Sequence, residues 1–569
     1  MNIMKPSVTA TLTFRRVVIL LMKKAFSFAG ILLMWWCSSV LNTPAYANIP
    51  GGGNGTGPNV TVTDNGNGTV TMANGVISIV ITKASATINQ IYYAYNNSGT
   101  TVTNQVLAGG KNGGTFYWEF GGFGSGSFTY TLAANTGSYA EVDLFSDSAT
   151  NGTVDIHFSM TRGSPGFYVT PIWSHRAQDG PQGTGEMRDN IYFAPIFNWE
   201  SVDAARDWEI GLGEGHTPAF YSPGENSLVT TGIRQGIYDD KYKGITDLIS
   251  LRVWGWSSVS DAAAGVVGQN IGIWHIKASS EYDAGGPLNA DLTDAPMVNM
   301  IGGSHSFSLD NSYGNGEIWS RASGPYFIYF NNVTNSLIDP VQTSRALFAD
   351  AQAQAAAEVS AWPYSWFSNP VYASASQRGT VTGKIVINDS GNPNASASNL
   401  WVGVVRQPFT VVNNYDFQQW AKPLHFWVKT DANGNFTIPN VVATNNYTLY
   451  AFGPGAAGTF LSQNQTGGSP PILFNVPATP FAVTVTGGAT NNLGTVTWTP
   501  SRVGPTVFEI GYPNRKSDKF RHGDDYNVGD VGPSPTAPSP VWDKFFEFPF
   551  DFPNGLNYVV GQSRWSTDL

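Results

Sequence analysis

Apolar and polar residues alternate with a period of two along most of this chain. Val60-Thr61-Val62-Thr63, the turn Asp64-Asn65-Gly66-Asn67-Gly68 and Thr69-Val70-Thr71-Met72 spell out a hairpin, because strand side chains point alternately to opposite faces. Asn74-Gly75 turns again into Val76-Ile77-Ser78-Ile79-Val80-Ile81, and short alternating runs continue to about Asn332. This pattern predicts a large β-sandwich over residues 48–373. One segment reads as helix: Ser344–Ala361, rich in Ala and Gln and ended by Trp362-Pro363. It is expected to pack structurally at the edge of the sandwich.

A second unit is predicted over 377–480. Gly379–Ile387 is a strand, Phe426–Lys429 and Phe436–Ile438 flank a turn at Asp431–Asn435, and Tyr447–Phe452 adds another strand. Short strands of this kind fit an immunoglobulin- or fibronectin-like sandwich. The Asp431–Asn435 turn has half the carboxylate and amide pattern of a calcium loop, but lacks the rest of the ligand set. A polar, Pro-containing stretch, Gln463–Pro480, leads to a third unit at 495–569, short for a sandwich.

Composition narrows the class. Only 12% of the 569 residues are charged, about half the usual share, yet mean hydropathy is −0.14. Asn, Ser, Thr and Gly supply the polarity. The 18 Trp, 24 Tyr and 33 Phe fit β-sandwich cores and also sugar-stacking surfaces. Helical bundles, disordered chains and nucleic-acid binders do not look like this.

Residues 1–47 read as an export signal: Lys5, Arg15, Arg16, Lys23 and Lys24 with no acid, an apolar run Phe26–Trp36, then Ala45-Tyr46-Ala47. The apolar run is shorter than a membrane span. A secreted, extracellular protein with no membrane attachment in its mature form is expected. The single cysteine, Cys37, falls in this segment, so disulfides, thiol catalysis and Cys-ligated metals drop out. Removing five basic residues leaves 25 basic against 40 acidic side chains, a net charge of −15. Such a chain does not bind nucleic acid through a general basic face.

Candidate chemistry is sparse. There is no Gly-x-Ser-x-Gly elbow. The seven histidines, His157, His175, His216, His275, His305, His425 and His522, form no i, i+4 pair, so spacing marks no metal site. Paired carboxylates for glycoside hydrolysis stay open with 40 acids. Two clusters stand out. In Tyr238-Asp239-Asp240-Lys241-Tyr242-Lys243, strand geometry puts Lys241 and Lys243 on one face, where mutual repulsion or burial lowers a lysine pKa towards a useful base. A solvated edge strand is the other reading. Gly302-Gly303-Ser304-His305-Ser306 sets a histidine among small residues that leave room for a ligand; a satisfied loop or core histidine is the more common reading of such a residue taken alone.

These segments, in order with several others, resemble the rhamnogalacturonan lyases of polysaccharide lyase family 4. The others are Gly185-Glu186-Met187-Arg188, Val253-Trp254-Gly255-Trp256, Glu281-Tyr282-Asp283-Ala284-Gly285-Gly286-Pro287, Gly316-Glu317-Ile318-Trp319, Gly324-Pro325-Tyr326-Phe327 and Phe508–Arg515. The resemblance implies an all-β protein: a galactose-mutarotase-like β-sandwich, a fibronectin type III-like sandwich and a jelly-roll carbohydrate-binding-like module, here shortened. It implies endolytic β-elimination on the rhamnogalacturonan I backbone of pectin by a monomer. Lys241 matches the family's base, His305 its histidine partner and Arg188 a substrate-contacting arginine, with Lys243 adding positive charge for substrate binding. Val298 and Met300 stand where some members carry substrate-touching aromatics. No cofactor is required by this chemistry, which leaves room for a structural calcium ion. The alternatives are a glycoside hydrolase, or a non-catalytic carbohydrate-binding protein, on the same scaffold.

Overall fold

The computed structural model describes residues 55–97, 99–109, 113–183, 185–203, 207–211, 227–228, 238–239, 245–247, 249–260, 267–283, 285–288, 290–292, 297–302, 312–334, 340–406, 421–453, 481–499, 552, 554–560 and 562–564. The expected signal segment at 1–47 and nearly all of the third unit beyond Trp498 lie outside them.

The fold is all-β with one long helix. The opening hairpin forms as the alternation demands: Thr61–Asp64 pairs Thr69–Ala73 with Asp64 opposite Val70. It starts an eight-stranded sheet that runs through Ile77–Thr82, Thr87–Asn97 and Thr115–Phe120 to Met187–Tyr192 and Met297–Gly302. A ten-stranded sheet faces it, with Val253–Ser258, Ile271–Lys277, Tyr326–Asn332, Gly166–His175 and Thr153–Thr161 among its central strands. Their inward residues, such as Ile79, Ile81, Phe116, Trp118, Phe158, Trp254, Ile273 and Ile328, make one shared core.

The central strands of the ten-stranded sheet are buried throughout, as in Ile271–Lys277 and Tyr326–Asn332, because both faces are covered. Ile271, Ile273, Tyr326 and Ile328 face the opposing sheet, while Trp274, Ile276, Phe327 and Tyr329 pack under the helix. That helix spans Pro340–Ala361, one turn earlier than the alanine run indicates, since proline is well tolerated at a helix start. Ser344, Leu347, Phe348, Ala351, Gln354, Ala355 and Glu358 are buried along one stripe at helical spacing. Glu358 accepts from the Tyr168 hydroxyl at 2.9 Å and the Gln354 amide at 2.8 Å. Among the described residues no helix is long and apolar enough to cross a membrane.

The second unit is a seven-stranded sandwich. A three-stranded sheet orders Asn435–Val442, Arg378–Ile387 and Thr490–Trp498, and a four-stranded sheet orders His425–Lys429, Trp401–Arg406, Thr444–Phe452 and Ala482–Val485. Its strands thus continue past residue 480, and Thr495–Trp498 belongs to it: Val496 and Trp498 fill its core beside Val381 and Ile385. Pairing of Arg378–Ile387 with Thr490–Trp498 is parallel and long-range, so no local turn signals it. At Asp431 one carboxylate oxygen accepts the backbone N–H groups of Asn433 and Asn435 at 2.8 and 2.9 Å, which is the chemistry of a turn.

The aromatic surplus is mainly core. Trp173, Trp254, Trp256, Trp274 and Trp498 are fully buried.

Candidate active site

Arg188 sits on Met187–Tyr192, between Thr115–Phe120 and Met297–Gly302. Strand alternation sends Met187, Asp189 and Ile191 into the sandwich and Arg188, Asn190 and Tyr192 to the opposite face. There Arg188 lies opposite Glu119 and Met300, and Asn190 opposite Tyr117 and Val298. Arg188 donates from Nη2 to Glu119 at 2.9 Å, and its Nη1 lies 2.7 Å from Glu186. The Tyr117 and Tyr192 rings stack beside it at 5.8 Å. The two glutamates fix the fork but also occupy it, so an incoming carboxylate has to share or displace them. Val298 and Met300 are buried and offer no aromatic face.

On the inner face the same strand carries a polar inclusion that the sequence did not signal. Asp189, fully buried, accepts from Asn299 Nδ2 at 3.0 Å and lies 3.6 Å from His275 Nε2. The His275 ring is sandwiched between Trp254 at 4.3 Å and Tyr326 at 4.5 Å. Complete burial pushes the imidazole below its ordinary pKa, although Asp189 pulls the other way. The only hint in sequence was an aspartate on an inward position of a strand. Here it anchors the element that presents Arg188.

The segment Glu281–Asp283 is a structural lock. Asp283 receives Lys277 Nζ at 2.7 Å, both fully buried; burial pushes its carboxyl up to about 6 against the pull of Lys277. Glu281 receives both Nη atoms of Arg378 at 2.6 and 2.9 Å, tying the sandwich to the second unit. A second tie joins Lys422 Nζ to Glu317 at 2.7 Å and to the Ser312 carbonyl at 2.6 Å. Arg321 donates to the Ala421 carbonyl at 2.7 Å. The stretch 312–322 is therefore held by the neighbouring unit.

Lys241, Lys243 and His305 lie outside the described residues. Lys241 follows the strand Tyr238–Asp239, which pairs Ser227–Leu228. Lys243 precedes Ile245–Asp247, which pairs Ala290–Leu292. His305 follows Gly302, whose register partner is Met187, the neighbour of Arg188.

Comparison with known proteins places one unit and about half of the chain beside known lyases. The profile described as "Polysaccharide lyase family 4, domain II" matches residues 377–467. A probable rhamnogalacturonate lyase C from Emericella nidulans is 30% identical over 312 residues, covering 53% of this chain and 26% of that protein. A rhamnogalacturonate lyase from Dickeya dadantii is 28% identical over 379 residues, covering 65% of this chain and 54% of that one. This chain is similar to rhamnogalacturonate lyases over 53–65% of its length. A probable rhamnogalacturonate lyase B from Aspergillus terreus is 25% identical over 53% of this chain and 40% of its own length. The chain thus spans between a quarter and about half of the length of these rhamnogalacturonate lyases. The domain II match falls on the seven-stranded sandwich, and the pairs of Glu281 with Arg378 and of Lys422 with Glu317 show how that unit is fastened.

Proposed function

We propose that this protein is a secreted lyase that cleaves rhamnosyl-(1→4)-galacturonate bonds of rhamnogalacturonan I by β-elimination, leaving an unsaturated galacturonate at the new non-reducing end. Similarity to rhamnogalacturonate lyases over more than half of the chain carries this reading.

The reaction removes the C5 proton of a uronate, which is weakly acidic while its carboxylate is free in water. Neutralising that carboxylate lets charge flow into it as the proton leaves, and preorganised stabilisation of this kind is usually the largest catalytic contribution. Arg188 suits the task, being permanently charged and already held at a fixed angle by Glu119 and Glu186. Lys241 accepts the proton as the neutral amine, and Lys243 and Arg188 would favour that form by repulsion. His305 donates a proton to the departing O4, a positioned acid giving roughly 10²–10⁴ in rate. In sequence it follows by three positions Gly302, the last residue of the strand beside Arg188. The scheme calls for no cofactor.

The test is incubation with rhamnogalacturonan I without added metal, following chain length and the ultraviolet absorbance of an unsaturated uronate. Both should change in wild type, and neither in folded Lys241→Ala or His305→Ala. Shortening without absorbance would mean a hydrolase; binding without shortening, a carbohydrate-binding protein. Full activity in either variant removes that residue from the mechanism.

A further inference from the structure

On the outer face of the ten-stranded sheet, two neighbouring strands each present an alternating pair of ionisable residues. Tyr139–Asp147 contributes Glu141 and Asp143, and Thr153–Thr161 contributes Asp155 and His157, with Asp143 directly opposite His157. Alternation puts all four on one face, with the Phe367 ring edge-on to the imidazole at 5.4 Å. His157 is 5% exposed.

Its two ring nitrogens have different surroundings. Nδ1 lies 2.8 Å from both Glu141 Oε1 and Asp143 Oδ1. It is hydrogen-bonded to the first, while Asp143 Oδ1 is buried without a hydrogen-bond partner. Nε2 faces Asp155 Oδ2 at 3.3 Å, yet it too is a buried nitrogen without an aligned hydrogen-bond partner. The Tyr139 hydroxyl bonds to Glu141 and also to Ser159 at 3.1 Å. Three carboxylates therefore surround one imidazole. Among the described residues no lysine or arginine forms an ion pair with any of them.

We propose that Glu141, Asp143 and His157 form a binding site for one divalent transition-metal ion of the zinc class, with Asp155 orienting the imidazole from its far side. The three donor atoms lie within 4.8 Å of one another. A tetrahedral ion with bonds of about 2.0–2.1 Å needs donors roughly 3.3 Å apart, so each gap of 2.8 Å at Nδ1 opens by about half an ångström. A nitrogen donor beside two carboxylates favours zinc or manganese over calcium, which takes six to eight oxygens. A carboxylate behind the second ring nitrogen is the usual outer support of a histidine ligand. The ion would join Tyr139–Asp147 to Thr153–Thr161 under Phe367, on the sheet opposite Arg188, and this inference does not depend on the proposed reaction.

The full-length chain is stripped with chelator and titrated with Zn²⁺, and separately with Ca²⁺, by calorimetry. One equivalent of Zn²⁺ per chain is expected, with a melting temperature raised by roughly 3–8 °C at saturation. His157→Gln and Asp143→Asn should each weaken Zn²⁺ binding more than tenfold. No stoichiometric Zn²⁺ uptake, uptake unchanged in both variants, or tighter binding of Ca²⁺ than Zn²⁺ would overturn the site. Should His157→Gln fail to fold, X-ray absorption at the zinc edge of the loaded wild type decides. An imidazole shell supports the proposal and an all-oxygen shell overturns it.

Discussion

Arg378→Ala should loosen the second unit from the sandwich. In wild type the guanidinium donates twice to Glu281 at 2.6 and 2.9 Å, and to the Ala373 and Asn440 carbonyls at 2.8 and 2.9 Å. It also lies over the Trp362 ring at 5.4 Å. The Arg378 and Glu281 side chains are 2% and 7% exposed, so solvent cannot replace the lost partner. Truncation leaves a buried carboxylate with the Ser279 hydroxyl at 3.3 Å, and breaking a buried pair from one side costs about 3–5 kcal/mol. With a urea m-value of about 1–3 kcal/mol per molar, the midpoint of the affected transition should fall by at least about 1 M. Replacing both ends, as Arg378→Met with Glu281→Gln, removes the stranded charge and should recover more than about 2 kcal/mol of that loss. Urea unfolding followed by tryptophan fluorescence reads all three proteins. A midpoint shift below about 0.3 M for Arg378→Ala, or a double variant no more stable than Arg378→Ala, would refute this account of the lock.

Two further outcomes follow from the same physics. Arg188→Ala should cost little stability, about 1 kcal/mol, because its glutamate partners are partly exposed, yet lower elimination by roughly 10²–10³; wild-type turnover would take Arg188 out of the reaction. Burial, reinforced by the Arg321 charge, pushes His425 down to about 3. The unfolded chain then takes up a proton near pH 6.5 that the folded chain refuses. Stability is full above that pH and falls as pH drops towards 3, by about 2 kcal/mol between pH 7 and pH 5. His425→Gln should flatten this slope in urea titrations at the two pH values, and an unchanged slope would show that His425 is not responsible.

Local patterns were legible where burial is local. The Val60–Met72 hairpin, the helix and the strands around Asp431 follow from alternation, helical spacing and turn chemistry, which need no knowledge of distant partners. Long-range pairing was not legible: nothing near Arg378 announces that its strand runs parallel to Thr490–Trp498. The Glu281–Asp283 motif could be recognised, but not why it holds those acids. Each neutralises a buried cation, Arg378 and Lys277, whose burial depends on the folded whole. The Glu141, Asp143, Asp155 and His157 set depends likewise on register: no local pattern announces that Asp143 stands opposite His157.

Charge and aromaticity end up divided differently from what composition alone indicated. The tryptophans are largely spent on cores, so sugar recognition cannot be inferred from their number. Among the described residues three of the scarce basic side chains are spent in the same way: Lys277, Arg378 and Lys422 each offset a buried carboxylate. Arg188 differs because its carboxylates, Glu119 and Glu186, keep 36% and 22% of their side-chain surface in water. Solvent weakens those pairs, so their exchange for a substrate carboxylate costs far less than breaking a lock such as Arg378–Glu281. Lys83 with Asp64 and Arg176 with Asp147 are exposed in the same way, so burial alone does not single out Arg188; under the proposed reaction its strand does, because it pairs with the strand that ends at Gly302, shortly before His305 in sequence.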